Sequence, residues 1–195
     1  MYARCYLCRV GIAVTNSKSD TRYLVENFYD FLETYDHLHS KHARRELTKQ
    51  QISHPIYLTL FTPALDFILQ AMACDVNENF LSQLLGKCKN LSNGSLLLNS
   101  IMTAFKPVHV ANRALQFLEM LGGQSEENFP PHVLIRTLGL CISVCPPPGE
   151  HRRQVLGAVF RHISALTASE DYVNCLETWI QYIVQYYSVS GVLYF

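Results

Sequence analysis

Residues 94–121, GSLLLNSIMTAFKPVHVANRALQFLEML, carry the pattern that decides the fold. Apolar residues recur there at steps of three and four, which places them on one face of a helix. They are Leu97, Leu98, Ile101, Met102 and Phe105 in the first half, and Val108, Ala111, Leu115, Leu118 and Leu121 in the second. Pro107 cannot continue a helix but suits the first turn of the next one. The stretch therefore predicts two helices joined by a short turn at Lys106–Pro107.

The same periodicity extends in both directions from this hairpin. Further helices are predicted over residues 2–14, 22–40, 63–73, 77–88, 131–144, 150–166 and 169–187. Nine helices in hairpins, at roughly 30–45 residues per pair, are typical of HEAT-like repeats. We predict an all-α fold, an α-solenoid of HEAT-like antiparallel helix hairpins, with residues 1–195 as a single helical-repeat segment. A compact helical bundle is the alternative architecture.

Composition limits the kind of protein this is. Hydrophobic residues make up 49% of the chain and charged residues 16%, which excludes disorder. The formal net charge is 0, so no overall field attracts nucleic acid or an acidic membrane. The seven cysteines follow no regular spacing, which favours a reducing, cytoplasmic compartment. Because end repeats of a solenoid need polar caps, we expect the chain alone to be poorly soluble or oligomeric.

Metal, cofactor and catalytic motifs are weak. Cys5 and Cys8 form a C-x-x-C pair without the second pair that a structural zinc site needs. His37, His39 and His42 cluster in sequence, but His37 and His39 point to different sides of a helix. No nucleophile elbow, P-loop, dinucleotide fingerprint or zincin helix occurs. We therefore predict no metal, no cofactor and no enzymatic activity, with a compact helical metal or redox protein as the lesser alternative.

No membrane-spanning segment is predicted. The most apolar stretch, Tyr57 to Cys74, is interrupted by Pro63, Asp66 and Gln70.

Two groups of residues are candidate binding surfaces. Tyr182, Tyr186 and Tyr187 flank the apolar stripe of the last helix and are predicted to meet either a partner or the next repeat. A second group consists of basic residues that could contact an acidic partner or phosphoinositide. These residues are Arg44, Arg45, Arg152 and Arg153.

Several long segments resemble one family. They are YARCYLCRVGIAV, NFYDFLETY, LLLNSIMTAF, FPPHVLIRTLGL and EDYVNCLETWIQY, in this order. Together they resemble the large α-solenoid subunit of the retriever complex, an endosomal sorting factor related to retromer's large scaffold. The resemblance runs with gaps from Tyr2 to about Tyr187, and SVSGVLYF from Ser188 onward leaves the pattern.

The resemblance implies a non-enzymatic scaffold, cytoplasmic and peripheral on endosomes, that recycles integral membrane cargo to the cell surface. Implied partners are an arrestin-like subunit, a metallophosphoesterase-like subunit and a coiled-coil complex with copper-metabolism-domain proteins. The Pro-Arg-aromatic helix that contacts the arrestin-like subunit in the family would precede Met1, so the chain is expected to be a segment from the N-terminal half of a longer solenoid. The alternative function is another helical-repeat adaptor of transport or coat type.

Overall fold

The structure, a computed structural model, describes residues 22–73, 78–89, 94–122 and 129–187, with four isolated residues before them. Helices account for most of these residues. They are α1 (Arg22–Leu38), α2 (Lys41–Lys49), α3 (His54–Thr59), α4 (Thr62–Ala73), α5 (Glu78–Cys88), α6 (Ser95–Ala104), α7 (Pro107–Asn112), α8 (Ala114–Leu121), α9 (Pro131–Val144), α10 (Gly149–Ser164) and α11 (Ser169–Tyr187). The described ranges contain no strand.

The chain divides into two compact units, residues 1–93 and 94–195. In the first unit α1 packs against α4, and Phe28, Phe31, Ile68 and Leu69 are fully or almost fully buried. Ser40 and Ser53 begin α2 and α3, because each side-chain oxygen accepts a hydrogen bond from a backbone N–H of the first turn. The core of this unit is therefore aromatic and aliphatic, as the periodicity of residues 22–40 predicts.

One stretch of the first unit has the composition of a membrane span. His54–Ala73, which is α3 and α4 together, has a mean hydropathy of 1.4 over its most apolar window and is long enough to cross a membrane. It is thus longer and more apolar than the sequence analysis allowed for. Leu65, Ile68 and Leu69 are nevertheless buried within the unit, as they are in the core helix of a globular domain.

The second unit is built from helices that stack in two layers. α9 packs against α6, α7 and α11, while α10 packs against α8. Two hydrogen bonds show the relative direction of α6 and α9. The Thr137 hydroxyl lies 2.8 Å from the Asn99 side-chain oxygen, and the Cys141 thiol lies 3.4 Å from the carbonyl oxygen of Met102. Because the residue numbers rise together, α6 and α9 run parallel.

The contact between α9 and α11 repeats this arrangement. Three donors on α11 reach backbone carbonyls of α9, and their order is again the same on both helices. Cys175 Sγ donates to His132 O (3.4 Å), Trp179 Nε1 to Ile135 O (3.1 Å) and Tyr186 OH to Ser143 O (2.9 Å). Parallel helices in one layer, joined by returning helices in the other, are the repeat of a helical solenoid. The predicted all-α solenoid fold is confirmed.

The central hairpin differs from its prediction in one detail. α6 ends at Ala104 and Pro107 begins α7, as predicted, but the second helix is broken at Arg113, whose φ and ψ are −111° and 14°. Val108, predicted to be buried, is 42% exposed. The buried stripe instead contains Val110, Ala111, Ala114, Phe117, Leu118 and Leu121. Three of the five predicted residues, Ala111, Leu118 and Leu121, belong to this stripe, so the predicted pattern was largely correct and fails clearly only at Val108.

The helical spacing in the last helix predicts a buried stripe of Val173, Leu176, Trp179, Ile180, Ile183 and Tyr187, and this prediction is partly wrong. Trp179 is buried as predicted, whereas Val173 and Ile180 are 60% and 51% exposed. Cys175, Thr178 and Tyr182 are buried in their place. Cys175 donates across the α9–α11 contact to His132 O, and the Thr178 hydroxyl donates to Asn174 O within α11, so both polar groups are satisfied where they are buried.

Gly139 allows α9 and α11 to approach closely. A Cβ atom at this position would lie 2.9 Å from both Thr178 Cγ2 and Trp179 Nε1. Neither neighbour is the free end of a flexible chain, so a methyl group would force the two helices apart. The indole–carbonyl hydrogen bond of Trp179 depends on this spacing.

We predict that Gly139→Ala lowers the free energy of unfolding by about 1–3 kcal/mol, because overpacking outweighs the gain in helix propensity. Gly157→Ala in α10 is the matched control, since a Cβ there meets nothing within 4 Å. It should raise stability by up to about 1 kcal/mol. Urea denaturation followed by circular dichroism measures both changes. A loss of stability in the control, or none in Gly139→Ala, would contradict the role of this glycine.

Candidate interaction surfaces

The sequence cluster of histidines does not form a metal site. His37 and His42 are exposed, and His39 turns inward at the end of α1. His39 instead meets His54, the first residue of α3, with ring centroids 5.0 Å apart in an edge-on arrangement. Within the described ranges, no group of three or more His, Cys, Asp or Glu side chains could hold a metal ion.

Both rings of this histidine pair bind the C-terminal end of α1. His39 Nδ1 lies 3.0 Å from the carbonyl oxygen of Tyr35, and His54 Nε2 lies 3.1 Å from that of Leu38. Each of these nitrogens therefore carries a hydrogen. Sequence spacing alone missed the pair, because its members are separated by α2.

The environment of His39 disfavours its charged form. Burial lowers the pKa of its imidazole, the Tyr35 carbonyl opposes this shift, and the positive charges of His54 and Arg44 lower the pKa further. A histidine with a lowered pKa in the folded state takes up its proton more readily when the chain is unfolded. The contribution of neutral His39 to stability is therefore fully present above about pH 6.5, the ordinary pKa of histidine. It decreases as the pH falls below that value.

We predict that His39→Gln reduces the acid sensitivity of the first unit. Glutamine has an amide that can still donate to the Tyr35 carbonyl, but it does not titrate. Unfolding midpoints measured between pH 7.5 and 5.5 should fall less in the variant than in the natural chain. His37→Gln, which changes an exposed ring, is the control and should leave the pH profile unchanged. Equal profiles for all three proteins would exclude His39 as the source.

Three of the four cysteines in the described residues, Cys88, Cys141 and Cys175, have thiols in protected environments. Cys88 is fully buried, and burial raises the pKa of its thiol to about 12. Burial also raises the pKa of Cys141 and Cys175, whose thiols contact backbone carbonyls of neighbouring helices. Thiols held in this form are poor nucleophiles and poor metal ligands. The Cys5–Cys8 pair lies outside the described residues.

The predicted basic group is divided between the units. Arg44 and Arg45 are exposed on α2, and Arg153 is exposed on α10. Arg152 has an internal role, because its Nε donates a 2.9 Å hydrogen bond to the carbonyl of Pro147 and so holds the turn before α10. The predicted contact with an acidic partner or lipid stays a prediction for these residues.

The three tyrosines of α11 differ in burial. Tyr182 is 0% exposed and packs edge-on against Trp179, with ring centroids 5.9 Å apart. Burial raises the pKa of its hydroxyl, so the ring remains a neutral core residue. Tyr186 and Tyr187 are half-buried. Only these two retain surface for the predicted partner or next-repeat interface, which stays a prediction.

An apolar stripe lies on the opposite face of α11. Val173, Ile180 and Val184 are 60%, 51% and 57% exposed. Each precedes by two residues a side chain that faces α9, namely Cys175, Tyr182 and Tyr186. Two residues correspond to about 200° of rotation, so the stripe points away from α9. On α10, Phe160 is likewise 61% exposed. We refer to Val173, Ile180 and Val184 as the end face.

The end face continues the direction in which the helices stack. In the first layer α6, α9 and α11 follow one another, so a further helix of that layer would lie against Val173, Ile180 and Val184. Large apolar residues grouped in this way mark a contact surface more often than an isolated exposed residue does. The candidate sites among the described residues are thus surfaces for packing rather than a cluster of reactive side chains.

The fold and these surfaces define a helical-repeat protein of the α-solenoid class. A family model of the VPS35L C-terminal domain matches residues 76–194, and a second VPS35L model matches residues 1–60. The first match alone covers more than half of the chain, and the chain belongs to the VPS35L family. The match to the C-terminal domain model reaches residue 194, so the expectation that the family pattern is lost from Ser188 onward was wrong.

Curated relatives agree with this assignment. The chain is 38% identical over 192 residues to "VPS35 endosomal protein-sorting factor-like" of Homo sapiens. The alignment covers 98% of this chain and 20% of the human protein. The Drosophila melanogaster relative of similar name is 35% identical over 191 residues, and that of Dictyostelium discoideum is 24% identical over 188 residues. These alignments cover 20% and 19% of the two relatives. The chain therefore spans about a fifth of the length of the curated relatives it matches.

Proposed function

We propose that this chain is a non-enzymatic scaffold segment of a retriever-type complex, in which it supports recycling of integral membrane cargo from endosomes to the plasma membrane. The names of its relatives support a role in endosomal protein sorting. The observation that carries the scaffold role is the open end face of a two-layered repeat. Such a surface holds another helical element in place and performs no chemistry.

The proposed partners are an arrestin-like subunit, a metallophosphoesterase-like subunit and a coiled-coil complex with copper-metabolism-domain proteins. The resemblance described above implies these partners, and the proposed location is cytoplasmic and peripheral on endosomes. Attachment to the membrane would come through the partners, since the most apolar stretch, His54–Ala73, places Leu65, Ile68 and Leu69 inside its own unit. Integral membrane proteins would be the cargo.

The first test is affinity purification of the tagged product of the endogenous locus, followed by mass spectrometry. We expect the arrestin-like and phosphoesterase-like subunits to co-purify with it. Recovery of the coiled-coil partners alone would support the scaffold role but limit it to one interface. Recovery of none of these proteins would overturn the proposed function while leaving the fold unaffected.

A second prediction concerns the end face. Ile180→Glu combined with Val184→Glu should reduce self-association of the 195-residue chain, because two charges in the apolar stripe oppose its burial against another copy. Sedimentation velocity at several protein concentrations measures this change. We expect the doubly substituted chain to sediment with a smaller average mass and to keep its helical content.

The control variant adds the same charge outside the stripe. Gln181→Glu combined with Gln185→Glu changes exposed positions of the same helix. It should self-associate like the natural chain. A natural chain that is already monomeric at all concentrations, or equal effects of the two double variants, would show that the end face does not drive association.

A further inference from the structure

A groove lies between α8 and α10 of the second unit. Its volume is about 690 Å³, within the range of ligand-binding clefts. A smaller groove of about 250 Å³ adjoins it, and Leu115 and Glu119 line both. The two together follow α7 and α8 from Ala111 to Gly122. At 1.5 Å per residue this is a path of about 16 Å, or three helical turns.

Small side chains on α10 create the groove. Gly157 and Ala158 stand opposite Leu115 and Leu118 of α8, so the facing helices leave space between them. A Cβ atom at Gly157 would meet nothing within 4 Å, which shows that this position opens onto the groove. Leu118 is buried and Leu115 is half-buried. The floor is therefore apolar and can receive large side chains.

Each of the two grooves is lined by one arginine. Arg161 is an exposed residue of the larger groove, and it has no ion pair among the described residues. Arg113 lines the smaller groove, and its buried Nε atom has no hydrogen-bond partner there. A buried donor without an acceptor costs free energy, so an anion beside this guanidinium would be stabilising. Glu119 is the acidic side chain in both linings.

The break at Arg113 gives this charge its position. A continuous helix from Pro107 to Leu121 would direct the side chain according to the regular helical rotation. The irregular backbone at Arg113 places it between α7 and α8, beside Ala114 and Leu115 in the lining of the smaller groove. The sequence ANRAL contains no proline or glycine, and so it gives no signal of this feature.

We propose that the α8–α10 groove binds an acidic amphipathic helix of a partner protein. Large apolar residues of that helix, spaced i, i+4 and i+7, seat over Gly157 and Ala158, and its carboxylates reach Arg161 and Arg113. Helix-in-groove recognition uses this spacing of anchors along about three turns. The two grooves together contain two arginines, Arg113 and Arg161, against the single carboxylate of Glu119, and this excess of positive charge favours an acidic partner. This docking site is distinct from the end face and does not depend on the proposed scaffold function.

The test uses a labelled synthetic peptide of about eighteen residues, with leucines on one helical face and glutamates on the other. Fluorescence anisotropy measures its binding to the full 195-residue chain. Gly157→Leu should weaken binding about tenfold or more, because the new side chain fills the place of an anchor. Gly86→Leu is the matched control, since Gly86 is a helical glycine of the first unit that also has nothing within 4 Å of its Cβ. It should leave binding unchanged.

Charge gives the second arm of the test. Arg161→Glu should weaken binding about fivefold and reduce its salt dependence. A peptide with lysine in place of every glutamate should bind more weakly than the acidic one. Equal binding by Gly157→Leu and Gly86→Leu, or no preference for the acidic peptide, would overturn the proposal. Arg161-dependent binding to phosphatidylserine vesicles without binding to the acidic peptide would also overturn it, in favour of a lipid surface.

Discussion

The second unit depends on the close, parallel contact between α9 and α11. Gly139 removes the side chain that would hold the helices apart, and the indole of Trp179 uses the space to reach a backbone carbonyl of α9. Thiol and hydroxyl groups of α11 make two more such contacts along the same line. Because these bonds end on the backbone of α9, they set the register of the two helices without requiring a particular partner side chain. At Gly139 the contact has no room for a larger side chain.

Parallel stacking of this kind leaves the last helix of a layer with an uncovered face. α9 is covered on both sides, by α6 and α11, whereas α11 exposes a stripe of valine and isoleucine on the side away from α9. The same geometry separates α8 and α10 where small residues replace large ones, and this produces the groove. The end face and the groove therefore have one origin. In a helical repeat, apolar surface is exposed wherever a helix has no neighbour on one side or where the side chains of its neighbour are small.

Sequence periodicity predicted the elements better than it predicted their buried faces. The turn at Lys106–Pro107 follows from the chemistry of proline, and the helical class follows from spacing. The phase failed in α11 because a repeat helix has neighbours on more than one side. Cys175, Thr178 and Tyr182 turn inward there, while Val173 and Ile180 turn outward, so hydrophobicity alone ranks the faces in the wrong order.

The interaction surfaces were harder to predict for a related reason. The sequence draws attention to local clusters, such as His37, His39 and His42, yet the histidine pair in the structure joins residues on either side of α2. Gly139 and Gly157 are both helical glycines, and nothing in their flanking residues separates them. A Cβ atom at Gly139 would lie 2.9 Å from the facing helix, whereas one at Gly157 would meet nothing within 4 Å. That difference depends on which helix lies opposite, which is a property of the tertiary structure. In this helical-repeat fold, the small residues between helices therefore decide where helices close up and where a groove opens.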